Sequence, residues 1–301
     1  MRQRKLQGTA RVIFLGAATI FLCAMSILFL TPIVLTLTNS FMSQTEIASN
    51  YGKIFDSVTS AGTYVSDKVN LKVIPDLVSF SQYETVLLKS PDYLFKFWNS
   101  VILVVPIVVF QSLVALLAAY GFARFDTKWR NAIFFTYIIL MLMPYQVTLV
   151  PNYLVADWLG ILDTRWAIVL PGIFSPFAVF ILTKFMRRIP SSVIEAAKLD
   201  GAGEWQIFTK ICAPMSGGIV ASVAILVYID YWNMVEQPLV LLTGEAEALH
   251  PLSVFLSKIN TGDAGVAFCV AAIYMIIPLL IFLYCEDYLV EGVSYSGGLK
   301  G

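Results

Sequence analysis

Charge is scarce in this chain. Of 301 residues, 13% are Asp, Glu, Lys or Arg, where soluble domains carry about 25%. Beside a hydrophobic content of 58%, that deficit excludes a soluble globule and reads as a polytopic membrane protein. No charge of one sign is in excess: 20 basic residues balance 20 acidic ones. A nucleic-acid partner, which needs a cationic surface, is therefore not expected. Histidine is almost missing. His250 stands alone, which argues against an imidazole-based metal site. The four cysteines, Cys23, Cys212, Cys269 and Cys285, form no C-x-x-C pair and lie in or beside apolar runs, so they read as small buried hydrophobes. There is no glycine-rich loop ending in Lys-Ser or Lys-Thr and no nucleophile–base–acid set. The chain is expected to be no enzyme, to hydrolyse no ATP and to bind no cofactor of its own. Soluble-type repeats and low-complexity tracts are also absent.

What is present is a series of long apolar runs. A basic head, residues 1–11, precedes the run Val12–Leu37, long enough to cross a bilayer as a helix. The basic head predicts a cytoplasmic N-terminus. Residues 38–98 are polar and of mixed charge and are expected outside. Long loops translocate largely regardless of charge, so five lysines there are no obstacle. Ser79–Tyr83 with Leu87–Lys89 predicts a short surface helix, and Phe95, Phe97 and Trp98 an interfacial aromatic belt. Further spans are expected at Val101–Ala119, Ile133–Val150, Trp166–Phe185, Ile219 to about Val235, and Val266–Tyr284. Basic residues at Arg124–Arg130 and Lys184–Arg188 mark cytoplasmic ends, and Pro151–Arg165 and Glu236–Gly265 are outer connections. Six spans place the C-terminal tail, residues 290–301, inside as well. The expected fold is thus all-α with six transmembrane helices, five of them in a core over residues 99–289. Pro32, Pro106, Pro144, Pro171, Pro176 and Pro278 fall in five of the six spans. Kinked spans of this kind suit a protein that opens and closes a cavity.

The most distinctive stretch is Pro190–Pro214, PSSVIEAAKLDGAGEWQIFTKICAP. It predicts two short helices on the cytoplasmic face. Ser192-x-x-Glu195 fits a capping box. Val193, Ala196 and Ala197 share a flat face that another surface can approach closely. Asp200-Gly201 is a turn signal. Trp205, Phe208 and Cys212, at i, i+3 and i+7, predict an amphipathic second helix turned to the bundle and stopped by Pro214.

Glu195-Ala196-Ala197, then Asp200-Gly201-Ala202, Ile211 and Pro214 resemble the EAA motif of permease subunits in binding-protein-dependent ABC importers. Asn99-Ser100, the run Ala119–Phe125 (AYGFARF), and Trp232-Asn233 followed by Pro238 are similar to the carbohydrate permeases, more narrowly to the maltose-type, MalG-like subunit. Gly203, where the family often has serine, and Met234, where it has an acid, depart from the pattern. The resemblance implies a type I importer (MetI-like) fold in a bacterial cytoplasmic membrane and a sugar or oligosaccharide cargo. It implies a MalF-like second permease, two cytoplasmic ATPase subunits that hold ATP and Mg, and an extracytoplasmic sugar-binding protein. It assigns Glu195, Ala196, Ala197, Asp200, Gly201 and Ala202 to ATPase coupling.

A second set of residues fits a substrate path. Asp230 lies eleven residues after Ile219, about 16 Å along a helix, which predicts a place near the middle of an apolar core about 30 Å thick. An acid there faces a cavity or a partner. With Tyr228, Tyr231, Trp232 and Asn233 it offers the aromatic faces and acceptors that sugars need, and Gln111 and Gln146 are further candidates. Glu195 and Asp200 have the alternative of serving as local caps, and the two glutamines of joining helices. Two other functions compete: an autonomous proton-coupled carrier with Asp230 as the coupling acid, which internal repeats would favour, and a structural membrane scaffold.

Overall fold

The computed structural model describes residues 2–47, 49–51, 71–258 and 264–297. Among them there is no strand. Four helices are long and apolar enough to cross a membrane, and two bent pairs pass the same test when each is taken as one span, which gives up to six. Residues 52–70 of the expected outer stretch and the last four residues lie outside the described residues.

Helix α1, Arg2–Asn39, takes in the basic head as well as the first span. From Phe14 to Leu37 its large apolar side chains face outward. Its hydroxyls are satisfied within the helix: Thr19, Ser26 and Thr31 donate to the carbonyls of Leu15, Leu22 and Ile27 at 2.7–2.9 Å. That is how a polar group is carried through an apolar medium. The predicted surface helix is present as α2, Ser81–Glu84, continued by a π turn over Thr85–Lys89.

The remaining helices are α3 (Pro91–Arg124), α4 (Arg130–Met141), α5 (Tyr145–Trp158), α6 (Trp166–Gly172), α7 (Pro176–Met186), α8 (Ser191–Leu199), α9 (Glu204–Ile207), α10 (Gly217–Trp232), α11 (Glu236–Leu241), α12 (Leu252–Ser257) and α13 (Ala264–Gly297). The second span begins earlier than its apolar run, because Pro91 suits a first helical turn. Phe95 and Trp98 on that extension are exposed, while Phe97 packs edge-on against Trp232.

The third span is sharply bent. Pro144 breaks it as predicted, yet α4 and α5 meet at 105°. Pro144 stands before α5 in an extended backbone, ψ 139°. Helix α5 then runs to Trp158, so the first half of the expected outer connection is helical. The fourth span is also two pieces. After Gly172 the chain restarts at Ser175, whose hydroxyl caps α7 by accepting from the Ala178 N–H at 3.2 Å, with Pro176 in the first turn. Gly172 lets α6 lie against α3: a Cβ there would stand 3.1 Å from Ile107.

The chain divides into two compact units. In one, Met1–Pro91 with Ile259–Ile273, a small core gathers Met42, Ile47 and Tyr51, with Phe268 packed against it. Lys72 bridges Glu46 and Asp76 there. The other, Asp92–Lys258 with Tyr274–Gly301, holds the main core. Leu103, Ile107, Ile168, Leu182, Met186 and Trp232 are almost fully buried in it. On this unit Asn99 and Ser100 staple the segment after α11. Asn99 donates to the Ala248 carbonyl at 2.8 Å and accepts from Arg165 at 2.8 Å, and the Ser100 hydroxyl accepts from the Leu252 N–H at 2.9 Å. His250 is buried beside the Leu242 carbonyl.

Candidate functional site

Helix α8 presents most of itself to the outside. Of its nine residues only Ile194 is buried. The helix ends in a Schellman turn: the Ala202 N–H reaches the Ala197 carbonyl at 2.9 Å and the Gly201 N–H reaches that of Lys198 at 3.0 Å. Gly201 has φ +81°, in the left-handed region, and no atom lies within 4 Å of where a Cβ would be. Glycine is required here by the backbone, not by crowding.

The predicted capping box does not form. The residue before α8 is Pro190, so Ser192 lies inside the first turn and makes no side-chain cap. Glu195 is therefore exposed and free of that bond. Half of such a box occurs at the next helix instead: the Gln206 side chain accepts from the Gly203 N–H at 3.1 Å, and Gly203 has no side chain to return a bond to the first turn.

The second half of the element also differs from expectation. Phe208–Cys212 is a π turn, and the helix continues past Pro214 to Met215 before Ser216 breaks it. Ile207, Phe208 and Cys212 form the buried face, while Trp205 stands 67% exposed. The wider turn brings Cys212 into phase with Ile207 and Phe208. Trp205 only lies along the rim of Phe208, 5.3 Å between ring centres. Helix α10 then leaves at 70°.

A group not singled out in the sequence joins this element to the bundle. Glu204 sits between Lys198, at 2.7 Å, and the Tyr120 hydroxyl, which donates at 2.6 Å. Lys198 first, then Tyr120, holds the Glu204 carboxyl below the usual carboxylate range. Arg124, one turn on from Tyr120, donates to the carbonyls of Met186 and Ile189 at 3.2 and 3.3 Å, where α7 ends. Arg187 returns a bond to the Phe122 carbonyl at 3.3 Å. The AYGFARF run thus fastens α3 to both ends of the loop that carries α8. Its signal in the sequence was the charged residue closing an apolar helix.

Three adjoining cavities, of about 520, 540 and 290 Å³, share Tyr231 as a wall. Asp230 lines two of them, Gln146 and Asn233 line one, and Gln111 lines the smallest with Asp230. The structure brings these five predicted residues together. Tyr145, Glu236 and Gln237 complete the wall and were not predicted. Gln146 donates to Glu236 at 3.2 Å. Gln111 is 1% exposed, and its carbonyl oxygen has no hydrogen-bond partner. Asp230 lies in the last turn of α10. Tyr228 and Trp232, four residues apart, lie on the opposite face of α10 inside the core. There they stack with Tyr274, 5.3 and 5.2 Å between successive rings. Both line none of the three cavities. Among the described residues no cluster of His, Cys, Asp or Glu could hold a metal ion.

Comparisons with known proteins agree with this architecture. The arabinooligosaccharides transport system permease protein AraQ of Bacillus subtilis is 28% identical over 95% of this chain and 95% of its own. The osmoprotective compounds uptake permease protein GgtD of Synechocystis is 32% identical over 68% of this chain and 70% of its own. The glucose import system permease protein GlcU of Saccharolobus solfataricus is 28% identical over 93% and 94%. The crystal structure of a bacterial ABC transporter involved in the import of the acidic polysaccharide alginate includes a chain of the same fold. It matches with TM-score 0.71 at 24% identity, over 91% of this chain and 95% of that one. The family described as binding-protein-dependent transport system inner membrane component matches residues 85–294. That match spans every span but the first, the exposed α8 element and the cavity, and the chain belongs to this family of inner membrane transport components.

Proposed function

We propose that the chain is the non-catalytic permease subunit of an ATP-driven importer of a sugar or oligosaccharide, with both termini in the cytoplasm of a bacterial cell. A second permease completes the pathway, an extracytoplasmic binding protein delivers the saccharide, and two cytoplasmic ATPase subunits hold ATP and Mg. The observation that carries the reading is the α8 element. An exposed helix with Ala196 on its surface and Ala197 half-buried against the core, turned by Gly201 and bonded back to the bundle through Glu204, is built to receive a push from outside the chain. Closure of the ATPases on ATP draws the coupling elements of the two permeases together. The movement enters α3 through Tyr120 and Arg124, and the Asp230–Tyr231 cavity turns towards the binding protein. Hydrolysis resets it. Relatives named for arabinooligosaccharide and glucose transport support the saccharide class, as do the tyrosine rings and amide acceptors of the cavity.

The test is uptake by vesicles holding the whole complex. Uptake is expected to persist when the proton gradient is dissipated and to stop when ATP is removed. Uptake that survives ATP depletion and collapses with the gradient would mean an autonomous carrier.

A further inference from the structure

We infer that this chain's face of the pathway passes neutral or amine-bearing saccharides and rejects uronic, anionic ones. The inference rests on the reading of the Asp230–Tyr231 cavity as a sugar path.

The linings of the three cavities contain two carboxylates, Asp230 and Glu236, and no Lys, Arg or His. Among the described residues neither carboxylate is in a salt bridge. A second and independent observation comes from Gln111. It is almost wholly buried, it lines the same cavity as Asp230, and its carbonyl oxygen is without a partner. A buried acceptor of that kind calls for a donor. Carboxylates, too, only accept when ionised. Hydroxyl and ammonium groups supply donors, and a neutral pyranose carries hydroxyls around its rim. The rings of Tyr145 and Tyr231 add apolar surface for its C–H faces. A uronate brings carboxylates that cannot donate and that the two acids repel. Like charges brought together at such a site repel, and the wrong-sign partner is disfavoured. The likeness in fold to an importer of an acidic polysaccharide therefore does not carry that cargo class to this chain.

The sign of the field can be measured without knowing the sugar. Val235 lines the cavity beside Asp230 and Glu236. In the assembled complex, with the four natural cysteines replaced by alanine, Val235→Cys is labelled with a cationic and an anionic thiosulfonate of similar size. The cationic reagent is expected to react about tenfold faster than the anionic one, relative to free thiol. Asp230→Asn with Glu236→Gln should bring the ratio close to that of free thiol. A ratio that shows no preference in the parent, or one that the double substitution leaves unchanged, overturns the inference. In parallel, uptake of a neutral oligosaccharide and of an oligogalacturonate of equal length is compared. The neutral sugar should be taken up, and the uronate only after the double substitution. Equal uptake of both by the parent also overturns the inference. Uptake of neither speaks against the sugar reading itself and leaves the reagent ratio to decide the charge of the cavity.

Discussion

At Gly201 one torsion angle sets where a whole helix points. Its φ of +81° belongs to the left-handed region, and the space around it is open. A larger residue would meet no clash and would pay only in backbone strain, about 1–2 kcal/mol for an L-residue. Gly201→Val should therefore leave the chain in the membrane at normal abundance. The Schellman bonds of Gly201 and Ala202 would loosen, α8 would be misdirected, and uptake should fall by about tenfold or more. Gly201→Asn is the control, since asparagine tolerates this conformation; it should retain most of the uptake. Copurification of the ATPases with each variant reads docking directly. Normal uptake and normal copurification with valine would remove the turn from the mechanism. The glycine was legible in the sequence because Asp-Gly is a turn signal on its own. The freedom of Glu195 was not. Ser192-x-x-Glu195 satisfies the pattern of a capping box, and only the position of Pro190 two residues earlier moves the cap away from it.

Elements are held to one another through groups that no short pattern records. Glu204 lies 84 residues from Tyr120 in sequence and 2.6 Å from it in space. The run that supplies Tyr120 and Arg124 was visible as a family likeness, but its reason was not: it binds α3 to the loop carrying α8. Similarly, the i, i+3, i+7 spacing placed Trp205 inward because it assumed 3.6 residues per turn throughout. The π turn at Phe208–Cys212 changes that period, and Trp205 is left at the surface. If the Tyr120–Glu204 link transmits motion, Tyr120→Phe and Glu204→Gln should each reduce uptake about fivefold while the ATPase rate of the complex holds. The double substitution should be no worse than either alone, since contacting groups are not additive. Equal loss of ATPase and uptake, or strictly additive losses, would make the link merely structural. The depressed Glu204 carboxyl gives the link a sign with pH. It is intact from the ordinary carboxylate range upward, and it weakens only as pH falls below that range and the carboxyl gains a proton.

For the whole molecule, apolar length told how many times the chain crosses but not in what direction each segment runs. Six spans were legible because hydrophobic runs of sufficient length are rare by chance. The 105° and 70° bends were not, because Pro144 and Ser216 announce a break without its angle. An even number of crossings returns both ends to one side, and the basic head predicts that side to be the cytoplasm. The end of the chain from Cys285 on, with Glu286, Asp287 and Glu291 against Lys300, argues the other way by charge alone, so the parity of the spans is the decisive quantity. A fluorescent reporter that folds only in the cytoplasm, fused after Gly301, should glow. A phosphatase that needs the oxidising outer compartment should be active when inserted after Glu245, in the segment following α11. The reverse pattern would put α8 on the outside. That single outcome would remove the ATPases from reach of Gly201 and Glu195, whatever the geometry of the turn between them.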